Sequence, residues 1–181
     1  MNIAVYCSSS NHIPESYKTS AYQLGQWIAR SGNVLVFGGA TGGLMSSVSE
    51  GASGGQIVGI IPQAVIKMNR LNTLCTQLIE VETMGERKAK MKELAGVFVV
   101  LPGSFGTLDE MFDVIASGVV GEHKKPLIIV NENGFYNDLL RQIEKMLSEK
   151  FIPTENYKPF VLNNIEECIQ MIEKKFNNQL T

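Results

Sequence analysis

Apolar positions along the chain alternate between two patterns. Short continuous runs at residues 3–7, 34–37, 57–61, 78–81, 97–101 and 126–130 are rich in β-branched residues and end at glycine, proline or polar residues, as buried strands do. Between them apolar residues recur with a helical period. Tyr17, Ala21, Leu24 and Ile28 form one stripe after Pro14, and Ser31, Gly32 and Asn33 stop it. Leu108, Met111, Phe112, Ile115 and Val119 form another, with Asp109, Glu110 and Asp113 off it. Phe135, Leu139, Ile143, Met146 and Leu147 mark a further helix, and Ile165, Cys168, Ile169, Ile172 and Phe176 the last. Helices are also expected at about 44–53 and about 84–94, the latter capped at Glu82 and Thr83. Strands that are wholly apolar rather than alternating belong to a parallel sheet covered on both faces, so the expected fold is a doubly wound α/β single domain over residues 1–181. Residues 62–76, interrupted by Asn69, Arg70 and Asn72, read as a long connection forming a lid or rim. Gly118 and Gly121 are expected to break the fifth helix, and the chain from Asn177 to fray.

Ligands of such sheets bind at the carboxyl ends of the strands, near the point where strand order reverses. Three turns follow strands and can share that crevice: Ser8 to Asn11, Gly38 to Gly43, and Gly103 to Thr107. Gly103, Ser104, Phe105, Gly106 and Thr107 join an apolar strand to a helix. Small residues there allow close backbone approach, and the first helical N–H groups then face the ligand, which is the construction of a phosphate site. Thr107 and Glu110 also have the spacing of a capping box, in which Glu110 would only satisfy a backbone N–H. Gly38, Gly39, Gly42 and Gly43 leave the second turn bare at an entropic cost, for helix packing or for a ligand. Arg87 and Lys88 lie in the first turns of a helix, where the macrodipole disfavours cations by ~0.3–1 kcal/mol. Arg87 shares a stripe with Met91 and Leu94, so it either meets an anion or snorkels to water.

Composition removes several function classes. With 16 Lys+Arg against 18 Asp+Glu the net charge is −2, and no basic run suggests nucleic acid or an anionic membrane as partner. Cys7, Cys75 and Cys168 have no metal-ligand spacing, so no metal is expected and the thiols read as reduced. The chain opens directly into a strand and has no apolar run of about 20 residues, so a soluble, cytoplasmic protein is expected. Neither GxGxxG nor GxxxxGK[ST] occurs, which lowers hydride transfer and ATP hydrolysis.

Five segments together resemble one family. PGSFGTLDE at 102–110 resembles the PGGxGTxxE motif of the LOG ("lonely guy") family, long described as possible lysine decarboxylases. GGATGGLMS at 38–46 is similar to its GGGxxGLMG, MGERK at 84–88 to its MHxRK, GEHKKP at 121–126 to its GIHxKP, and VYCSSS at the start to its FCGSS. The resemblance covers nearly the whole chain in order. It implies a Rossmann-like subunit, a homodimer or larger, that hydrolyses the N-glycosidic bond of a cytokinin riboside 5′-monophosphate or AMP without a cofactor. Arg87 and Glu110 would be catalytic. The phosphate would lie on Gly103, Ser104, Phe105, Gly106 and Thr107, with Ser8, Gly38, Gly39, Thr41, Gly42, Gly43, Met84 and Lys88 in supporting contacts. A carboxylate suits this chemistry, because breaking the C1′–N bond develops oxocarbenium character. Lysine decarboxylation would need a pyridoxal lysine that nothing in the chain specifies. Ser104, Ala40, Ser46 and Gly85 depart from the family's pattern, as do Ser117 and Val119 from its plant-like members. The altered glycines motivate an alternative, a non-catalytic nucleotide-binding or carrier module. A structural oligomer without ligand explains neither bare turn.

Overall fold

The computed structural model describes residues 1–152 and 157–175. Phe176 and the expected fraying from Asn177 lie outside the described residues. Strands β1 (Asn2–Tyr6), β2 (Val34–Phe37), β3 (Gln56–Pro62), β4 (Gln77–Val81), β5 (Val97–Val100), β6 (Leu127–Val130) and β7 (Phe160–Leu162) form one parallel sheet in the order β4-β3-β2-β1-β5-β6-β7. The chain builds outward from β1 to β4, then returns to the other side of β1 to lay down β5. The reversal therefore falls between β1 and β5, where Ile3 pairs with Leu35 on one side and Val97 on the other.

Side-chain alternation along the strands gives each face its own core. Ile3, Val5, Leu35, Phe37 and Val99 point to one face. They are covered by α1 (Glu15–Arg30) through Ala21, Leu24 and Ile28, by α2 (Gly43–Gly51) through Leu44 and Val48, and by α7 (Ile165–Lys175) through Cys168 and Ile172. Ala4, Tyr6, Val36, Phe98 and Val100 point to the other. There α4 (Met84–Leu94) contributes Met91, α5 (Phe105–Val119) Met111 and Val114, and α6 (Asn137–Ser148) the half-buried Leu139 and Leu140. Each fully buried aliphatic side chain contributes ~1.5–3 kcal/mol relative to exposure. The apolar strand runs thus dictate a sheet buried on both faces, as their composition predicts.

Helix α2 sits unusually close to α1. A Cβ on Gly25 would lie 2.1 Å from the carbonyl oxygen of Val48, and one on Gly51 would lie 2.1 Å from that of Tyr22. Backbone-to-backbone packing of this kind holds the start of α2 against the sheet end, next to the β1 turn.

Three elements differ from the sequence-based expectation. The connection after β3 begins with a short helix, α3 (Gln63–Lys67), and is tied down rather than open. Leu71 bridges Ala40, the Asn72 N–H donates to the Gly39 carbonyl at 3.0 Å, and the Thr41 N–H donates to the Arg70 carbonyl at 2.8 Å. It is a fixed rim on the glycine turn, built by pairings about 30 residues apart that periodicity does not register. Gly118 does not break α5 but lies within it, buried where its missing Cβ makes room for the Tyr157 ring; the helix ends after Val119, with Gly121 at φ +83°. β7 has only three residues, too few to show a pattern. No helix among the described residues is long and apolar enough to cross a membrane.

Candidate active site

The site lies at the switch point. Ser8, at the end of β1, donates its N–H to the Pro102 carbonyl at 3.2 Å, and its own carbonyl accepts from Leu44 N at 2.9 Å and Met45 N at 3.3 Å. One buried serine therefore joins all three turns that the sequence singles out.

The two glycine-bearing turns differ in what they leave free. At the start of α2 the N–H groups are occupied: Gly42 N donates to Ser46 Oγ at 2.7 Å, Gly43 N to Asn11 Oδ1 at 2.9 Å, and Leu44 and Met45 to Ser8. Gly42 (φ +106°) and Gly43 (φ +51°) are bare because the residue 8–10 backbone packs on them; a Cβ on Gly43 would lie 2.3 Å from Ser10 O. At α5 the situation is the reverse. Ser104 is the N-cap in extended backbone (φ −101°, ψ −157°), and its side chain makes no capping bond. No left-handed conformation is imposed there, so serine in place of the family's glycine carries no backbone strain. Among the described residues the N–H groups of Phe105, Gly106 and Thr107 have no acceptor, and Phe105 and Gly106 are exposed. This is an open, positively polarised helix terminus. Gly103 packs on Thr107, where a Cβ would lie 2.1 Å from Oγ1.

Because α5 begins at Phe105, Thr107 is its third residue and not its cap, and Glu110 lies a turn inside. The capping-box role is thereby excluded. Glu110 is 2% exposed, and its Oε1 stands 3.0 Å from Nη1 of Arg87, itself 7% exposed. The contact is electrostatic: the distance is short, but no N–H is aligned on Oε1 as in a hydrogen bond. Arg87 Nε donates to the Ile60 carbonyl at 3.3 Å, and Met84, largely exposed at the start of α4, places Sδ 3.9 Å from Nη1. Burial pushes the Glu110 carboxyl up to about 7; Arg87 opposes the rise, Asp109 adds to it, and Lys88 opposes it. At neutral pH this buried acid is poised between its two protonation states.

Gly38 explains why Arg87 fits. A Cβ at Gly38 would lie 1.8 Å from Arg87 Nη2, so the guanidinium lies directly on the bare backbone after β2. Gly39 (φ +66°) packs against Ile60 and Ile61 in the neighbouring strand. Gly38→Ala is expected to push the guanidinium off Glu110 and lower kcat/KM by ~100-fold, as misplacement by about 1 Å does, with unchanged secondary structure by circular dichroism. Wild-type kinetics in this variant would mean that the Arg87 position is immaterial.

Other predicted residues lie around this pair. Lys88 is held by Asp109 at 2.7 Å on the outer edge of α4 and α5, and Lys92 by Asp113 at 2.8 Å, so the two helices are laced by three charge pairs. The side-chain cap lies instead at α4: Thr83 Oγ1 accepts from Glu86 N at 3.1 Å, and Glu86 Oε2 reaches back to accept from the N–H of Glu82, the residue before the cap, at 3.0 Å. Two residues at the site escaped the sequence analysis. Tyr6, stacked on Phe98, has its hydroxyl pushed above the usual phenol range, chiefly by burial and then by the negative charge of Glu110. Its place in a strand run makes it look like core alone. Arg70, noted only as interrupting an apolar pattern, spans two turns through Nη2, donating to Ser9 O at 3.2 Å and Thr41 O at 2.7 Å.

A parallel sheet with its crevice at the strand reversal, one open helix terminus and a buried acid–guanidinium pair define a Rossmann-like α/β protein with these groups gathered at one end of the sheet. Comparison with known proteins narrows the class. A family model described as "Possible lysine decarboxylase" matches residues 44–174. A probable cytokinin riboside 5′-monophosphate phosphoribohydrolase of Oryza sativa subsp. japonica is 36% identical over 161 residues, 88% of this chain and 71% of that protein. A cytokinin riboside 5′-monophosphate phosphoribohydrolase of Arabidopsis thaliana is 36% identical over 174 residues, 94% and 76% of the two chains. Among solved structures, the molybdenum cofactor binding protein of the phototrophic bacterium Rippkaea orientalis superposes with a TM-score of 0.71 at 26% identity, covering 95% and 94%. The chain belongs to the LOG family.

Proposed function

We propose that the chain is a nucleoside 5′-monophosphate phosphoribohydrolase, hydrolysing the N-glycosidic bond of AMP or an N6-substituted AMP to free base and ribose 5-phosphate. The observation that carries this is the buried Arg87–Glu110 pair one helical turn beyond the open N–H groups of α5. The phosphate lies on Phe105, Gly106 and Thr107 N–H, a site that needs no metal because the helix terminus supplies donors and positive potential. Held there, the nucleotide spends binding energy remote from C1′ on positioning it. As the C1′–N bond breaks, its electron pair leaves with the base and C1′ gains positive charge. Ionised Glu110 stabilises that charge, the water then losing its proton to solvent, or takes the proton itself as the water oxygen bonds to C1′. The electron pair that leaves with the base takes up one proton from solvent or from Glu110, which balances the one that water loses. Arg87 favours the ionised form of Glu110 against the burial that raises its carboxyl. Gly38, Gly39, Thr41, Gly42, Gly43 and Ser8 shape the crevice without donating helix N–H groups to the ligand, and Met84 and Lys88 flank Arg87.

A second copy of the chain completes the assembly in this reading. Phe105 is 90% exposed beside the open N–H groups, and Met84 and Phe112 are also exposed, an apolar rim on α4 and α5 that a homodimer would cover. The test is incubation of the protein with AMP and isopentenyladenosine 5′-monophosphate, following free base by chromatography. Release of base supports the enzyme. The carrier reading is kept alive by the cofactor-binding neighbour; AMP raising the melting temperature with no base released would favour it over hydrolysis.

A further inference from the structure

The GEHKKP segment at 121–126 has no part in the crevice: it joins α5 to β6, at the amino ends of the strands. Its side chains nonetheless reach both helices that carry the acid–guanidinium pair. His123 Nδ1 accepts from Lys125 N at 3.2 Å, which leaves Nε2 as the ring N–H that donates to the Val114 carbonyl of α5 at 3.0 Å. Lys125 Nζ donates to two carbonyls in the last turn of α4, those of Lys92 at 2.5 Å and Glu93 at 3.0 Å. An ammonium there also suits the negative end of the helix dipole. The loop itself is held. The His123 ring packs on Phe98 and Tyr157, with centroids 5.7 and 5.2 Å away, and the Tyr157 hydroxyl donates to the Lys125 carbonyl at 2.8 Å.

Such ties matter most where apolar packing is thin. Among its described residues α4 fully buries one apolar side chain, Met91, with Leu94 partly buried, and its end is also tied to β1 by Asn2 Nδ2, which donates to the Leu94 carbonyl at 2.9 Å. Lys88–Asp109 and Lys92–Asp113, the outer charge pairs between α4 and α5, are partly exposed, and their long side chains can follow a shift of either helix. At 1.5 Å per residue, Lys92 lies about 8 Å along α4 from Arg87, and Val114 about 6 Å along α5 from Glu110. A tie at that end therefore governs how the two helices are spaced at the pair.

Resting on the phosphoribohydrolase reading, in which Arg87 and Glu110 serve the glycosidic bond, we infer that His123 and Lys125 are positioning residues for that reaction. One loop fastens α5 through His123 and α4 through Lys125, and so fixes the Arg87–Glu110 separation from the opposite end of the sheet.

The test replaces each tie and reads the pair directly. Lys125→Met removes the donor, Lys125→Arg keeps donors for the α4 carbonyls, and His123→Phe keeps the ring packing but loses both hydrogen bonds. The charges felt by Glu110 are those of Arg87, Asp109 and Lys88. Neither Lys125 nor His123 is among them, so a changed Glu110 titration in these variants reports movement of the pair. Carboxyl-carbon NMR, with the Glu110 signal assigned by its loss in Glu110→Gln, is expected to show the midpoint above the wild-type value in Lys125→Met and His123→Phe. In Lys125→Arg it returns toward wild type. With AMP, kcat for base release in Lys125→Met falls by ~10–100-fold with little change in KM, since α4 moves and the phosphate stays on α5. Ile172→Val, on the opposite face of the sheet, controls for general loosening: it lowers the melting temperature and leaves the midpoint in place. A midpoint unmoved in Lys125→Met removes Lys125 from the role, one unmoved in His123→Phe removes His123, and an equal shift in Ile172→Val overturns the inference altogether. None of these readings needs turnover. A wild-type protein that releases no base overturns the phosphoribohydrolase reading alone, and the titration still decides whether the loop sets the pair.

Discussion

Glu110→Gln lowers kcat for base release by ~10²–10⁴-fold, the range for a carboxylate that acts on a proton or a developing charge in the transition state. The amide keeps the size and shape of the acid but can neither take a proton from water nor oppose a positive C1′. In the wild-type protein kcat/KM falls as pH drops below about 7, where Glu110 becomes protonated, and the variant loses that limb. Stability moves in the opposite sense. A carboxyl whose folded pKa is raised binds its proton more tightly in the native state than in the unfolded chain. Its contribution is therefore greatest below the ordinary carboxylate range and is lost as pH rises from there to about 7. Melting temperature against pH should slope downward across that window in the wild type and less so in Glu110→Gln. The cost of leaving Arg87 without its counter-charge offsets the whole curve but not its slope. A variant retaining a tenth of the activity would remove Glu110 from the chemistry.

Arg87→Met has the second largest effect and acts through Glu110. The guanidinium is the principal influence holding the Glu110 pKa down, so its loss raises that pKa further. At pH 7 the carboxyl is then neutral, kcat/KM drops by ~100-fold or more, and the acid limb moves to higher pH. Arg87→Lys separates charge from shape. The ammonium restores the positive charge and part of the pH profile, but it lacks the fork that reaches both the Ile60 carbonyl and Glu110, so the rate stays low. A pH profile identical in all three proteins would show that the pair is not electrostatically coupled to the chemistry. These two experiments distinguish a working acid–guanidinium pair from a buried ion pair that merely fastens α4 to α5.

Much of the fold is legible along the chain because its strands are buried on both sides. The run at 34–37 is observed as β2 to the residue, and Thr83 caps α4 where a cap is expected. Glu110 shows where legibility stops. It lies off the apolar stripe of α5, a position that ordinarily faces water, yet it is almost wholly buried because α4 covers that side too. Arg87 is visible as a cation against both the dipole and an apolar stripe, but the identity of the anion it meets is not, since Glu110 lies 23 residues further along.

From sequence alone come the parallel α/β architecture, the three turns at strand ends, the family and the residues worth testing, because each is written in local composition and spacing. The tertiary structure alone decides that α2 spends its N–H groups on its own chain while α5 keeps them open, that Gly38 is bare for Arg87, and that burial raises the Glu110 carboxyl. These depend on which groups residues distant in the chain bring within a few ångströms, and on how much water they exclude. Desolvation and hydrogen-bond satisfaction are properties of that packing and have no period along the sequence.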